Sequence, residues 1–382
     1  MVGSSLTESE KAEIRLKASE SIAALEEELS TQQPPFPRSW IRGEEHDNNN
    51  TVPRSHTCQF FDATGFYLSK AFASLDECAA MKQQMEDLVR DDWNPDQQAL
   101  DSFGTDTESN TARGDYFLES SDKIHYFTEP TALDKNGTSL LPEYQVDSNS
   151  KMKALNKVGH ALHLTPGAFS DYCLSEKMRD LVLDLGWQDP VVPQSMYIFK
   201  QALTGGVVNS HQDSTFLFTT PKQSCLGLWL ALDDATLDNG CLWVRPKSHR
   251  EAARRQFKRN PAHFGSAAIE SRSNNAGGDP SQPKLVMDDL YEHEDIVWDG
   301  RLPEHGWKGL LDAGFVPVEC KAGDLVVFGG EVDHLSLPNS SDHPRHTFQL
   351  HLVEGPGASV TWSPSNWLQY PDGRPFLRLV KE

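Results

Sequence analysis

Cys225-Leu-Gly-Leu-Trp-Leu-Ala-Leu-Asp233 is the stretch on which the fold turns. Leu226, Leu228, Leu230 and Leu232 alternate with Gly227, Trp229 and Ala231, the two-residue period of a strand whose faces meet different surroundings. Working outward, short runs of the same kind recur at Gln194–Lys200, Ser214–Thr220, Gly240–Pro246, Asp324–Gly330 and His346–Val353, with turns between them. Short strands at such spacing predict an antiparallel sandwich or barrel. In the last of them Phe348, Leu350 and Leu352 form an apolar face, while Arg345, Thr347, Gln349 and His351 form a polar one.

Upstream of Trp187 the period is mostly helical. Ser74 and Glu77 make a capping box for a helix carrying Leu75, Cys78, Met81, Met85, Leu88 and Val89, preceded by a short strand at Gly65–Phe72. Met152–His163 and Ser175–Gly186 read as two further helices. The chain is therefore expected to be mainly β with packed helices, an α+β arrangement. Residues 1–56 read as a polar N-terminal extension, helical over Thr7–Ser30 and otherwise mobile or loosely docked; residues 57–382 form the main domain. Residues 250–315 are the one long interruption of the strand pattern. Their Ser/Asn/Gly/Pro-rich part, Gly265–Pro283, reads as a mobile flap near a substrate entrance.

The 35 Lys and Arg stand against 56 Asp and Glu, a net charge of −21, which repels polyphosphate and argues against nucleic acid as a partner. Six scattered cysteines with no C-x-x-C pair read as reduced thiols. No apolar run is long enough to cross a bilayer, the start MVGSSLTESE lacks a signal segment, and the ending LVKE is no peroxisomal tripeptide. A cytoplasmic protein is expected, the peroxisome being the alternative compartment, with no assignment of oligomeric state.

His211-Gln-Asp213 places an imidazole and a carboxylate on one side of an extended segment. A facial non-haem Fe(II) site needs two His and one carboxylate, so a second imidazole must come from elsewhere. The H-x-D/E pattern also occurs at His249–Glu251 and His293–Asp295, neither of them flanked by strand pattern on both sides. For His211 and Asp213 the context adds His334 and, eleven residues later, Arg345, whose guanidinium can clamp a carboxylate bidentately.

This order resembles the phytanoyl-CoA dioxygenase family of Fe(II)/2-oxoglutarate-dependent dioxygenases. The likeness is carried further by Gly65–Met81, Asp115–Ile124, Asn156–His163, Pro190–Gln201, Leu228–Trp243 and Thr361–Gln369. It implies a double-stranded β-helix, the jelly-roll or cupin-like barrel, with His211, Asp213 and His334 as catalytic iron ligands and Arg345 on the far carboxylate of 2-oxoglutarate. Lys123, Met196, Gln212, Trp229 and Ser336 are implied as further co-substrate contacts. It further implies O2 as oxidant, release of succinate and CO2, and hydroxylation of a C–H bond in a small molecule: a lipid, an acyl-CoA or another metabolite. Pro246-Lys-Ser-His249 stands where the family commonly has P-G-S-H, and residues 1–56 have no family counterpart.

The residues alone leave two other readings open, a metallohydrolase whose ion is held by two histidines and an aspartate, and a jelly-roll binding protein without turnover. A helix over Arg250–Lys258 would set Arg250, Arg254 and Lys258 in a positive stripe suited to an anionic substrate.

Overall fold

Leu226–Ala231 is a strand within a nine-stranded sheet. The computed structural model describes residues 6–31, 55–102, 104, 113–271, 277–290 and 306–380. The sheet's main path runs Phe66–Ser69, Leu325–Gly329, Leu226–Ala231, Thr347–Glu354, Pro190–Ile198, Leu155–His160, Ile124–Thr128 and Asp101–Ser102, with Leu377–Arg378 beside Pro190–Ile198. A smaller antiparallel sheet runs Val316–Val318, Leu242–Val244, His334–Ser336 and Val208–His211. From Pro190 onward the chain passes back and forth between the two sheets, which is the strand order of a jelly roll.

The alternation in Leu226–Ala231 sorts side chains between two cores. Leu226, Leu228 and Leu230 join Phe348, Leu350 and Leu352 against helical residues Met81, Met85, Phe169, Met178 and Val182. Trp229, Ala231, Val326 and Phe328 face the small sheet's Leu242, Val244, Val316 and Leu335. Each of these leucines, almost fully buried, contributes roughly 1.5–3 kcal/mol of transfer free energy. The capping box forms at Leu75–Asp91: the Ser74 hydroxyl accepts from the Glu77 N–H at 3.1 Å, and the Ser74 N–H donates to the Glu77 carboxylate at 2.7 Å. Glu176–Asp184 is helical as expected.

Four expectations change. Met152–His163 is not one helix: a helix at Ser148–Lys153 gives way to the strand Leu155–His160. Leu155, Val158 and Leu162 fit a helical period, but the strand is flanked by neighbours on both sides and nearly all buried, so it shows no apolar/polar alternation. Ser214–Thr220 is a 3-10 turn, Asp213–Thr215, followed by a two-residue strand, Thr219–Thr220.

The N-terminal helix, Glu8–Thr31, is firmly docked. Ile14 is fully buried, Lys11 pairs with Asp238 at 2.5 Å and Arg15 with Glu319 at 2.7 Å. Residues 32–54 lie outside the described residues, and the 56/57 boundary falls within the helix His56–Thr64.

Arg250–Lys258 is not helical either. Ser248–Arg250 is a 3-10 turn and Arg255–Arg259 a strand paired with Leu285–Asp289, so the stripe does not form. Arg250 donates to the Ala63 carbonyl at 3.1 Å, and Lys258 pairs with Asp288 at 2.5 Å. Within Gly265–Pro283, Ser266–Glu270 is a helix with Ile269 buried, and the Asp279 N–H donates to the Ala262 carbonyl at 2.8 Å. Residues 272–276, and His293 with Asp295, lie outside the described residues.

Lys247, in the PKSH turn, has left-handed backbone geometry at φ 68°, and its ammonium meets Glu28 of the N-terminal helix at 2.5 Å. All six cysteines are buried and none forms a disulfide.

Candidate active site

Strand register brings the histidines together. Val208–His211 pairs with His334–Ser336 so that His211 lies directly opposite His334, with ring centroids 4.2 Å apart. The chain turns immediately after His211, and that turn returns Asp213 to the same side. Its Oδ1 lies 3.5 Å from His211 Nε2 and 3.7 Å from His334 Nε2. One ligand atom from each of the three falls within 4.8 Å of the others.

The surroundings orient each donor. His211 Nδ1 lies 2.8 Å from the Asn209 carbonyl and His334 Nδ1 3.0 Å from the Val332 carbonyl. A carbonyl only accepts, so both Nδ1 atoms carry the proton and both Nε2 lone pairs face inward. Asp213 Oδ2 accepts from His351 Nε2 at 3.1 Å, and Gln194 donates to the other ring nitrogen at 3.3 Å. Burial alone would raise the Asp213 pKa, but His351, His334 and His211 hold it well below the usual carboxylate range. Burial pushes His334 down to about 4. Burial would lower the His211 pKa, but Asp213 in turn raises it above the ordinary histidine value, a preference that a bound cation would take over. This oxygen-and-nitrogen set, with both Nε2 atoms turned inward and the carboxylate ionised, fits a divalent first-row metal such as Fe(II).

Arg245 and Arg254 also serve this site. Asp333, fully buried beside His334, accepts from Arg245 Nε at 3.0 Å and from Arg254 Nη1 at 3.1 Å, and Arg245 also donates to Glu251 at 2.7 Å. Arg254 thus holds the loop that carries a triad histidine.

The triad opens into a cavity of about 460 Å³. Arg345 lines it, only 2% exposed, with its guanidinium 5.1 Å from the Trp229 ring centre. It donates to Thr347 Oγ1 at 3.2 Å, the Gly240 carbonyl at 3.0 Å and Ser336 Oγ at 3.5 Å, while its Nε has no hydrogen-bond partner. No carboxylate among the described residues pairs with it. Burial lowers its pKa to about 10, which leaves it charged at neutral pH. A buried, uncompensated guanidinium beside the triad fits the far carboxylate of 2-oxoglutarate.

The family model described as phytanoyl-CoA dioxygenase (PhyH) matches residues 61–347. The chain belongs to the PhyH family. Phytanoyl-CoA dioxygenase domain-containing protein 1 of Mus musculus is 38% identical to it over 318 residues, covering 83% of this chain and 94% of that protein. The phytanoyl-CoA dioxygenase of Arabidopsis thaliana is 36% identical over 310 residues, 81% and 91% of the two chains. Among solved structures, the apo form of EctD from S. alaskensis superposes with a TM-score of 0.51 at 15% identity, covering 91% of this chain and 95% of that one. The epimerase SnoN, solved with Fe3+, alpha ketoglutarate and nogalamycin RO, gives a TM-score of 0.50 at 12% identity, with 85% and 95% covered. These likenesses support the jelly-roll architecture.

Within this PhyH-family fold, the sequence-predicted residues divide. His211, Asp213, His334, Met196, Trp229, Ser336 and Arg345 all line the one cavity. Gln212 and Lys123 do not. Gln212 donates to the Glu331 carbonyl at 2.9 Å and accepts from the Arg254 N–H at 2.9 Å, so its amide is spent on the loops around the triad. Lys123 follows a 3-10 turn, where its carbonyl accepts from the His160 N–H at 3.0 Å.

Residues that sequence reasoning missed include His351, Lys157, His160 and Lys200, all on the cavity wall. The polar face of Thr347–Glu354 was a signal for His351. Lys157 and His160 were hidden by the helical reading of their segment.

Proposed function

We propose that this protein is an Fe(II)- and 2-oxoglutarate-dependent dioxygenase that hydroxylates a C–H bond of a small molecule and releases succinate and CO2. The observation that carries this reading is the junction, in one cavity, of a two-His, one-carboxylate triad with a buried Arg345 that meets no carboxylate. His211, Asp213 and His334 would hold the metal. Bound iron supplies the oxidative decarboxylation of 2-oxoglutarate and the activation of O2 that goes with it.

The chain's own residues do the rest. Arg345, with Ser336 beside it, holds the far carboxylate and sets the co-substrate's direction. Met196 and Trp229 give that end of the cavity dry walls, which strengthens the ion pair. His351 keeps Asp213 ionised and turned toward the metal, while the Asn209 and Val332 carbonyls fix the imidazole tautomers. A metallohydrolase would leave Arg345 without a role.

Anaerobic titration with Fe(II) and then 2-oxoglutarate tests the reading. A visible charge-transfer band of the chelate is expected, followed on admission of O2 by slow succinate formation without added substrate. Both should vanish in His211→Ala and Asp213→Ala. No band in the parent, or succinate formation retained in both variants, would overturn the assignment.

A further inference from the structure

The helix Glu8–Thr31 lies outside the PhyH match at residues 61–347, yet its first half bears on the back of the co-substrate end of the cavity. Lys11 is 8% exposed and donates to the Asp238 carboxylate at 2.5 Å. One turn further on, Arg15 donates twice to Glu319, at 2.7 and 2.9 Å, and the Glu319 carboxylate also accepts the Leu237 N–H at 3.2 Å. Ile14 is fully buried in the same core as Leu237, Cys241 and Leu242. At positions 11, 14 and 15 these three side chains share one helix face. That face therefore grips the short segment Leu237–Cys241.

The segment carries the Gly240 carbonyl. This oxygen accepts from Arg345 Nη2 at 3.0 Å and from Ser336 Oγ at 2.9 Å, so it orients both residues assigned above to the far carboxylate of 2-oxoglutarate. Gly240 has little latitude. Its φ is 80°, and a Cβ there would lie 2.5 Å from the Leu337 carbonyl. The Cys241 N–H closes the turn on the Thr236 carbonyl at 2.9 Å, and the Ser340 N–H and hydroxyl donate to the Asp238 carbonyl at 2.8 and 2.9 Å. Ser340 thus fixes one side of the turn, while Lys11 and Arg15 fix the other. The half-exposed pair of Arg15 with Glu319 contributes at most about 1 kcal/mol of stability. What it supplies is position.

We infer that Lys11 and Arg15 are positioning residues for the dioxygenase: by clamping Asp238 and Leu237 they hold the Gly240 carbonyl where it aims Arg345 and Ser336 at 2-oxoglutarate. This rests on the dioxygenase reading above. It gives a helix outside the family match a part in co-substrate affinity.

The full-length variant carrying both Lys11→Met and Arg15→Met tests it by two measurements. In the metal-free protein, amide hydrogen exchange over Thr236–Cys241 should quicken while exchange over Leu226–Ala231 stays as in the parent. In oxygen-free protein loaded with Fe(II), calorimetric affinity for 2-oxoglutarate should fall about three- to tenfold, less than the roughly 10–100-fold that losing a ligand's direct hydrogen-bond partner costs. The Fe(II) isotherm should not change. Lys11→Arg with Arg15→Lys should keep the parent's affinity, and so should Glu28→Gln, which loosens the same helix at Lys247 instead. A double Met variant that binds 2-oxoglutarate as tightly as the parent or loses Fe(II) affinity to the same extent, or a Glu28→Gln variant that matches its loss, overturns the inference. Unchanged exchange over Thr236–Cys241 overturns the clamp alone. A parent that itself binds no 2-oxoglutarate overturns the dioxygenase reading and, with it, the role given to the clamp.

Discussion

Arg345 is the residue whose surroundings ask most plainly for a ligand. Its guanidinium is buried, charged and supplied only with neutral acceptors. Arg345→Ala should therefore weaken 2-oxoglutarate binding by about 2–4 kcal/mol, the scale for removing one partner of a buried charge-assisted pair, and leave iron binding intact. Calorimetric affinity for the co-substrate equal to the parent's would reject that role. His351 acts one step back, through Asp213. His351→Ala should lower metal affinity by about 10–100-fold without removing a ligand; an unchanged Fe(II) isotherm would show that Asp213 needs no such support. The triad and Arg345 were legible in the sequence because their residue types and order carry the chemistry. His351 was not, since its role depends on which strands lie side by side. His351 touches Asp213 across 138 positions of chain.

At the scale of elements, the strand Leu226–Ala231 both builds the core and shapes the metal site. Its alternation was legible because its two faces meet different surroundings. Leu155–His160 was not, because a segment buried on nearly every side loses the contrast that reveals its period. Gly227 shows how tightly the strand and the site are fitted. A Cβ there would lie 2.4 Å from the Phe328 ring and 2.9 Å from Asp213 Oδ2. Gly227→Ala should displace the carboxylate and weaken Fe(II) binding while the helices behind the sheet stay folded. Normal helical circular dichroism with a weakened metal isotherm is the expected pair of results, and an unchanged isotherm would mean that Phe328 alone gives way.

For the whole molecule, buried titratable groups set the pH range of stability. Burial pushes His163 down to about 3, His249 and His346 to about 4, and His160 well below its ordinary value. Burial also raises Glu129 to about 7 and Glu331 to about 8. Below pH 6.5, the ordinary histidine value, the unfolded chain takes up four protons at these imidazoles that the fold refuses. Above pH 4.5, the ordinary glutamate value, the fold keeps up to two protons that the unfolded chain sheds. The histidines win between those limits, and the metal-free protein should lose up to roughly 3 kcal/mol per pH unit on acidification from 6.5 toward 4.5. Above pH 6.5 the two carboxyls are opposed by Lys157 and Lys200, which burial drives well below the ordinary lysine value, so the acid side alone carries a clear sign. Urea midpoints should fall steadily from pH 6.5 to 4.5; a flat profile over that range would mean these groups titrate as they do when unfolded.

The turn at Lys247 ties two unusual parts of this chain to one another. A non-glycine residue in left-handed geometry costs about 1–2 kcal/mol, and the half-exposed pair with Glu28 returns up to about 1 kcal/mol. Lys247→Gly should thus be close to neutral in the full chain but clearly stabilising once residues 1–31 are removed, so the two changes are epistatic. Equal effects of Lys247→Gly in both backgrounds would show that turn and helix are energetically independent. If they are coupled, their histories are coupled as well: among relatives, a lysine at this turn should occur together with an N-terminal helix, and chains without the helix should keep glycine.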